Sequence, residues 1–442
     1  MKIAAIYADN FRGFTKTKVP LSRMNFLVGE NSTGKTSFLK LIELITSSDF
    51  WYNGEFRTQD VDLSYFGDIS SSNTTDKVVK IGILYSDVVS DKSNAEEKFY
   101  PIAITLVRGP NGKTTVKNLR GVSGDGTEVT IVRSIASNVT KYKYREAVKV
   151  DLVNFDSWVE EEVTNIGYSK TDLDSEHRFE QSPYFLLSYT SHITKKEKRK
   201  GVKNDGDKSI SLPNVINSYI WIAPIRIKPK QTYDGNVYDY SSDGAHAPYV
   251  LKNIFSGRNS KSSTQLVSAL NKFGKSSGLF EEIKVKSFTR QDNAPFSIEV
   301  IIGGEPRNIE NVGYGVSQVL PVVTEILNHD HARFAIQQPE VHLHPKAQAS
   351  LGGLFYDITD AANPSFIIET HSDFVIDRYR QRMSKDKRNS RAKDAQVVFF
   401  ETKKSVNSAI QIKINSDGSY PKDQPTNFKK FFFDEELQNL SI

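Results

Sequence analysis

The chain has 442 residues, of which 38% are hydrophobic and 25% charged, which is the composition of an ordinary soluble globular protein with ample material for a core. It contains no cysteine, which excludes disulfides, thiol catalysis and Cys-ligated metal centres and is typical of a reducing cytosol. The net charge of +5 does not by itself predict nucleic-acid binding, and no apolar run is long enough for a bilayer, so we expect a cytoplasmic protein.

The first third of the chain is predicted to be rich in strands. Residues 3–7 and 24–28 are short apolar runs typical of buried strands. Apolar residues then recur at helical spacing over residues 38–45, which predicts a helix. From residue 78 to 133, β-rich runs alternate with glycine-containing turns, which predicts an antiparallel sheet.

The middle of the chain is less regular. Residues 141–210 are polar and charged, and we interpret them as an insertion or lid. Order returns with an apolar run at residues 215–226, predicted helices at 248–256 and 264–273, and a predicted strand at 296–302.

The last third alternates between strand and helix. Helices are predicted at 318–327, 345–359 and 372–383, and strands at 332–337, 365–369 and 396–400. This alternation predicts an α/β fold with a mostly parallel sheet covered by helices on both faces.

A phosphate-binding pattern lies between the second predicted strand and the helix that follows it. Gly29, Gly34, Lys35 and Thr36 fit the spacing G-x-x-x-x-G-K-[ST]. In this pattern, backbone N–H groups at a helix N-terminus surround phosphate oxygens, the lysine reaches the β and γ phosphates, and the threonine binds Mg²⁺. We therefore predict ATP and Mg²⁺ as cofactors, with nucleotide contacts from Asn31, Ser32, Thr33, Gly34, Lys35, Thr36 and Ser37.

A second glycine-rich helix start follows at residues 313–318. Gly313, Gly315, Ser317 and Gln318 are predicted to bind an anion, although an ordinary capped helix start is the structural alternative. Since one nucleotide does not need two such contacts from one chain, we expect these residues to contact ATP on a neighbouring subunit. This predicts a dimer with ATP between its subunits.

Polar side chains follow two later strands, where open α/β sheets build their sites. The first group is Gln337, Gln338, Glu340, His342 and His344, and the second is Glu369 and His371. The two histidines of the first group lack a third ligand at convincing spacing, which disfavours a metal site. For His371 we favour a contact with the γ-phosphate over a buried structural role.

Taken in chain order, these motifs resemble the ABC-type ATPases typified by RecF, the SMC-like repair proteins and the OLD nucleases. The resemblance extends to Asn10-Phe11-Arg12-Gly13-Phe14, to Ala223-Pro224-Ile225-Arg226, and to residues 427–432 with Glu435 and Glu436. It implies a two-lobed ABC-ATPase-like fold with an antiparallel β part and a mostly parallel sheet. The implied domains are an N-terminal lobe at 1–140, an insertion at 141–214, a connecting region at 215–310 and a C-terminal lobe at 311–442.

The resemblance also implies roles for individual residues. Gly313, Gly315 and Ser317 take the signature positions, His371 the switch position, and Leu343 with His344 the dimer-contact loop. Gln337 takes the magnesium-binding position and Gln338 the catalytic position, where many relatives have acidic residues.

Because glutamine cannot act as a general base, we predict tight ATP binding and slow hydrolysis unless Glu340 or Glu369 supplies the carboxylate. ATP would then act chiefly as an assembly clamp. An engineered substitution that traps the ATP state is the alternative explanation for a glutamine here.

The OLD nucleases continue into a Toprim domain, and the chain has too few residues after residue 400 to hold one. Among ATPase-only relatives it is most similar to the ATPase subunits of the PARIS anti-phage system and, second, of Septu. This implies a homo-oligomeric sensor and scaffold that holds a separately encoded Toprim or His-Asn-His nuclease until a phage component is sensed.

Two other functions stay open. A DNA-repair clamp would bind DNA through the basic clusters at residues 195–208 and 378–393, although solvated surfaces are the simpler interpretation of both. The segment 141–210 lacks the sustained heptads of a long coiled-coil arm, which argues in part against this function. A transporter ATPase is disfavoured by the large insertion and by terminal blocks foreign to transporters.

Overall fold

The computed structural model describes residues 1–72, 78–91, 94–134, 139–163, 167–170, 182–184, 216, 218–234, 239–256, 262–289, 291, 293–361 and 364–431. The chain divides into two compact units. The first comprises Met1–Leu21, Glu30–Tyr219 and Phe400–Gln411, and the second comprises Ser22–Gly29, Ile220–Phe399 and Ile412–Ile442. The basic cluster at 195–208, most of the predicted insertion and the terminal Glu435 and Glu436 lie outside the described residues.

The strands and helices are numbered in chain order. Strands β1 to β17 are Lys2–Asp9, Thr17–Pro20, Met24–Gly29, Val78–Asp91, Asn94–Arg108, Thr114–Val122, Glu128–Ser134, Val139–Arg145, Ser169–Lys170, Tyr219–Ile222, Glu282–Ser287, Phe296–Ile302, Glu305–Asn308, Arg333–Gln337, Ser365–Glu369, Ala395–Lys403 and Val406–Lys413. Helices α1 to α8 are Lys35–Thr46, Phe66–Ile69, Phe155–Glu160, Ala247–Phe255, Ser262–Ser277, Tyr314–Asn328, Pro345–Ala361 and Asp373–Lys385. Within the described ranges, no helix combines the length and the hydropathy needed to span a membrane.

The first unit contains an antiparallel sheet with the strand order β2-β1-β4-β5-β6-β7-β8-β9. The antiparallel sheet predicted for residues 78–133 is confirmed, and it continues on both sides of that segment. One face is covered by α3, whose Phe155 and Trp158 pack against Tyr7 and Leu84. Strand β8 spans residues 139–145, so it crosses the domain boundary predicted at residue 140.

The second unit contains parallel strands. The sheet order is β10-β14-β15-β3-β16-β17, in which β14 pairs with β15 and β15 with β3 in parallel. Gln337 lies opposite Glu369, and Glu369 lies opposite Leu27, so these three strands end at the same edge. Their central residues are buried, as expected for strands covered on both faces.

Helices and a small antiparallel sheet complete the core of the second unit. Val319, Val323 and Phe355 from the helices and Ile298 from the β11-β12-β13 sheet belong to one buried cluster with the parallel strands. The protein is therefore an α/β protein with an antiparallel part and a mostly parallel sheet flanked by helices, which confirms the predicted fold class.

Candidate nucleotide-binding loop and strand-end residues

The predicted phosphate loop in the first unit has the backbone geometry of an anion-binding turn. Ser32 and Gly34 have positive φ values of 65° and 101°. Gly34 is the N-cap of α1, which has neither a side-chain cap nor an acidic residue in its first turn. A Cβ atom on Gly34 would lie 2.6 Å from Cζ of Phe14, so both the backbone and the space require glycine. The amides of the first turn thus lie at a helix N-terminus that favours an anion.

The side chains of the loop divide into buried and exposed groups. Lys35 is 3% exposed, and its Nζ donates a 2.7 Å hydrogen bond to the carbonyl oxygen of Glu30. The Thr33 hydroxyl donates to the same oxygen at 2.8 Å. Asn31, Ser32 and Thr36 are exposed. Lys35 now donates to a neutral carbonyl oxygen. It would form a stronger hydrogen bond with a charged phosphate oxygen in place of that carbonyl, so the loop fits a nucleotide.

Asn407 supports the loop and carries no sequence signal. Its Nδ2 donates to the carbonyl of Arg12 at 3.1 Å and its backbone N–H to that of Gly13 at 2.8 Å. A Cβ on Gly34 would lie 3.1 Å from the same Nδ2. Asn407 therefore packs between the Asn10–Phe14 segment and the loop, across a sequence separation that no local pattern reveals.

In the second unit, the start of α6 places the four predicted signature residues in different surroundings. Gly313 is the exposed N-cap. A Cβ on Gly315 would lie 2.8 Å from the carbonyl oxygen of His342, so this helix start packs closely on the loop after β14. Ser317 and Gln318 are buried, and their side chains donate to the carbonyls of Tyr314 at 2.9 Å and Arg226 at 3.4 Å. Their predicted contacts with ATP stay predictions.

The residues predicted at the ends of β14 and β15 come together. The backbone N–H of Gln338 donates to the carbonyl of Glu369 at 2.8 Å, and Gln338 has a positive φ of 42°. Oε1 of Glu340 accepts a 2.7 Å hydrogen bond from the backbone N–H of His371. Gln337, Gln338, Glu340, Glu369 and His371 thus belong to one strand-end cluster.

Glu340 is the buried carboxyl group of this cluster. Only 7% of the residue is exposed, and its Oε2 forms no hydrogen bond with the part of the chain that the structure describes. Burial raises the pKa of Glu340, while the His371 amide, the Thr370 hydroxyl and the charge of Arg226 partly lower it. A carboxyl with a raised pKa is a better proton acceptor than an exposed one and suits general-base chemistry.

Arg226 is a member of the cluster that sequence reasoning missed. It is 2% exposed, and its Nη2 donates to the carbonyl oxygens of Gln337 at 3.1 Å and Gln338 at 3.4 Å. Its Nε and Nη1 have no hydrogen bond within the described residues. Burial lowers the pKa of Arg226 to about 10, and Glu340 is the charge that opposes this shift.

The histidines of the cluster are on the surface. His371, His342 and His344 are exposed, so the alternative of a buried structural histidine at position 371 is wrong. Within the described residues, no group of three His, Asp or Glu side chains has a metal-binding arrangement. Gln348, which sequence reasoning also missed, accepts from the Ser372 hydroxyl at 2.6 Å and donates to the carbonyl of Leu343 at 2.8 Å.

Three of the eight basic residues in the segment 378–393 form ion pairs within their own unit. Arg380, Arg382 and Arg388 lie 2.7, 3.7 and 2.5 Å from carboxylates of Asp377, Asp357 and Asp360. Arg380 also lies 3.8 Å above the ring of Tyr420. These contacts favour a solvated, internally paired surface over a site for nucleic-acid phosphates.

A family model described as AAA ATPase domain matches residues 1–376. The chain belongs to this AAA ATPase family. Membership implies ATP as the nucleotide, in agreement with the phosphate loop. No curated protein matches this AAA ATPase.

Several solved structures are similar to this AAA ATPase at low identity. An SMC head bound to the C-terminal winged-helix domain of ScpA is 11% identical over 94% of this chain and 99% of that chain, with a TM-score of 0.46. The SMC head domain from Thermotoga maritima is 11% identical over 94% and 100%, with a TM-score of 0.39. An SMC head domain from Pyrococcus yayanosii is 10% identical over 93% and 97%, with a TM-score of 0.42. These similarities are too distant to assign a function.

Proposed function

We propose that this AAA ATPase binds ATP at the loop before α1, hydrolyses it slowly, and uses ATP chiefly to assemble with copies of itself. The observation that carries the proposal is the loop geometry, in which Gly34 opens an uncapped helix and Lys35 holds the Glu30 carbonyl. Residues 31–37 would hold the phosphates. Thr36 of the loop would hold Mg²⁺, which supplies charge neutralisation at the phosphates when it is bound.

In this proposal hydrolysis is slow because Gln337 and Gln338, at the usual acidic positions, are neutral, and the remaining slow reaction uses Glu340 as its base. Gln338 can orient a water molecule but cannot accept its proton. Glu340 is the proton acceptor in our proposal, because its buried carboxyl has a raised pKa and an oxygen without a hydrogen bond. His371, whose backbone N–H already binds Glu340, would contact the γ-phosphate through its exposed ring.

We further propose that assembly uses the start of α6, with Gly313, Gly315, Ser317 and Gln318 directed at ATP on a neighbouring subunit. The resemblance to the PARIS and Septu ATPase subunits supports a cytoplasmic, homo-oligomeric scaffold in anti-phage defence. Such a scaffold would hold a separately encoded Toprim or His-Asn-His nuclease and release it when a phage component is sensed.

Native mass spectrometry of the chain co-expressed with the product of its neighbouring gene tests this proposal. A homo-oligomer that carries ATP and a nuclease is the expected result. A lone dimer that binds duplex DNA in a salt-sensitive manner would contradict the scaffold and support the DNA-repair clamp instead.

A further inference from the structure

The loop after β10 turns one arginine into the protein interior. Ile225 is 82% exposed, whereas the neighbouring Arg226 is 2% exposed. A buried guanidinium without full hydrogen bonding destabilises the folded state, so a buried arginine needs compensating partners. Within the described residues, the partners of the Arg226 side chain belong to the strand-end cluster.

The first partners are two backbone carbonyls. Nη2 of Arg226 donates to Gln337 and Gln338, just where the pairing of β14 ends. Gln338 has a left-handed backbone, a conformation that is unfavourable for a residue other than glycine and persists only when its surroundings hold it. Its N–H is fixed by Glu369 and its carbonyl by Arg226, so the turn is held from both sides.

The second partner is the charge of Glu340. The groups that face this carboxyl are Arg226 from the loop after β10, and Thr370 and His371 from the segment after β15. Arg226 is the cation among these groups, and the carboxylate of Glu340 favours the charged form of Arg226. The two side chains are not joined by a hydrogen bond, and each keeps polar atoms unbonded.

Arg226 itself is fixed from outside the cluster. Ala223 and Ile227 donate their backbone N–H groups to Ser242 at 2.9 Å and Asp243 at 3.0 Å. The Gln318 side chain, on α6, donates to the carbonyl of Arg226. The loop is therefore tied both to the segment before α4 and to the helix that begins at the signature glycines.

We propose that Arg226 is a positioning residue that holds the Gln338 turn in its left-handed conformation and presents the cation that faces Glu340. This inference rests on the proposed function, in which Glu340 is the proton acceptor. An arginine suits both tasks because its planar fork presents several donors in fixed directions, whereas lysine carries one compact charge.

The first test measures ATP hydrolysis against pH for the wild type, Arg226→Met and Arg226→Lys. Arg226 is a positive charge that lowers the pKa of Glu340, so Arg226→Met should move the acidic limb of kcat to higher pH. Arg226→Lys should restore the limb but not the full rate. KM for ATP should change little in either variant.

The matched control is Arg380→Met. Like Arg226, Arg380 donates to a backbone carbonyl, that of Gly418, and it also packs on the ring of Tyr420. This variant should lose stability without moving the acidic limb. A lower rate with an unmoved limb in Arg226→Met would reduce Arg226 to a structural residue and overturn the inference.

The second test does not need hydrolysis. Because the pKa of Glu340 is raised in the folded protein, the stability it contributes is present at low pH and is lost as the pH rises through the folded pKa. Removing Arg226 should extend that loss to higher pH. The fall in melting temperature caused by Arg226→Met should therefore grow with pH, and this growth should disappear in a Glu340→Gln background.

If Arg226→Met lowers the melting temperature by the same amount at every pH, with Glu340 present or replaced by Gln, the inference is contradicted. If the wild type hydrolyses no ATP at any pH, the hydrolysis step of the proposed function fails, while the melting experiment still decides whether Arg226 acts on Glu340.

Discussion

Among single residues, we propose that Glu340 accepts the proton of the attacking water, and not the glutamines at the usual acidic positions. Glu340→Gln should lower kcat by about 100- to 10,000-fold, the range typical of a lost general base, with little change in ATP affinity. Gln338→Ala should have the smaller effect. Single-turnover hydrolysis with a parallel binding assay checks this. A Glu340→Gln protein that hydrolyses ATP at the wild-type rate would show that Glu340 is not the proton acceptor.

Glu43 gives a separate prediction about stability and pH. Burial raises its pKa to about 7, while the Thr58 hydroxyl partly lowers it. The folded state thus favours the protonated carboxyl, so stability should fall as pH rises from about 4.5 towards 7 and then level off. Glu43→Gln should match the wild type near pH 4 and exceed it above pH 7 by on the order of 2 kcal/mol. Thermal melting across this range measures the difference; parallel curves would contradict it.

Residues of the candidate site differ in how far the sequence predicts them. The phosphate loop, Gln338, Glu340 and His371 lie in local motifs, so their positions at a helix start and at strand ends follow from the pattern alone. Arg226 and Asn407 act through contacts with residues far away in the sequence. The sequence places Arg226 at the end of an apolar run, but nothing in the pattern indicates that its side chain turns inward.

At the scale of elements, the two signature glycines provide a matched pair. A Cβ on Gly315 would meet the His342 carbonyl at 2.8 Å, whereas a Cβ on Gly313 has no atom within 4 Å and its φ is −56°. Gly315→Ala should therefore lower the melting temperature by a few degrees, since overpacking typically costs about 1 to 3 kcal/mol. Gly313→Ala should leave it unchanged. Equal effects of the two substitutions would show that α6 does not pack as described.

Elements were predicted best where apolar runs are continuous. The predicted bounds of β12 and β15 match the structure, because both strands are mostly buried. Strands β11 and β13 were not predicted, because charged residues interrupt their apolar pattern and much of each is exposed. Helix α6 begins at Tyr314, before the predicted start at residue 318, because the glycine-rich signature itself forms the first turn.

For the whole molecule, we propose that bound ATP holds the subunits of an oligomer together. With neutral residues at positions 337 and 338, bound ATP should persist for long periods, and oligomers should form with ATP and separate without it. Size-exclusion chromatography with light scattering, with and without ATP and Mg²⁺, checks this. An oligomer of unchanged mass in protein shown to be free of nucleotide would mean that assembly does not depend on ATP.

Calorimetric titration of ATP with Mg²⁺ measures whether the loop before α1 binds ATP. We predict one site per chain in the wild type and about a 10- to 150-fold loss of affinity in Lys35→Ala, since a charge-assisted contact with phosphate is worth about 1.5 to 3 kcal/mol. Lys40→Ala, on the same helix, is the control and should bind normally. Unchanged binding in a folded Lys35→Ala protein would contradict the account.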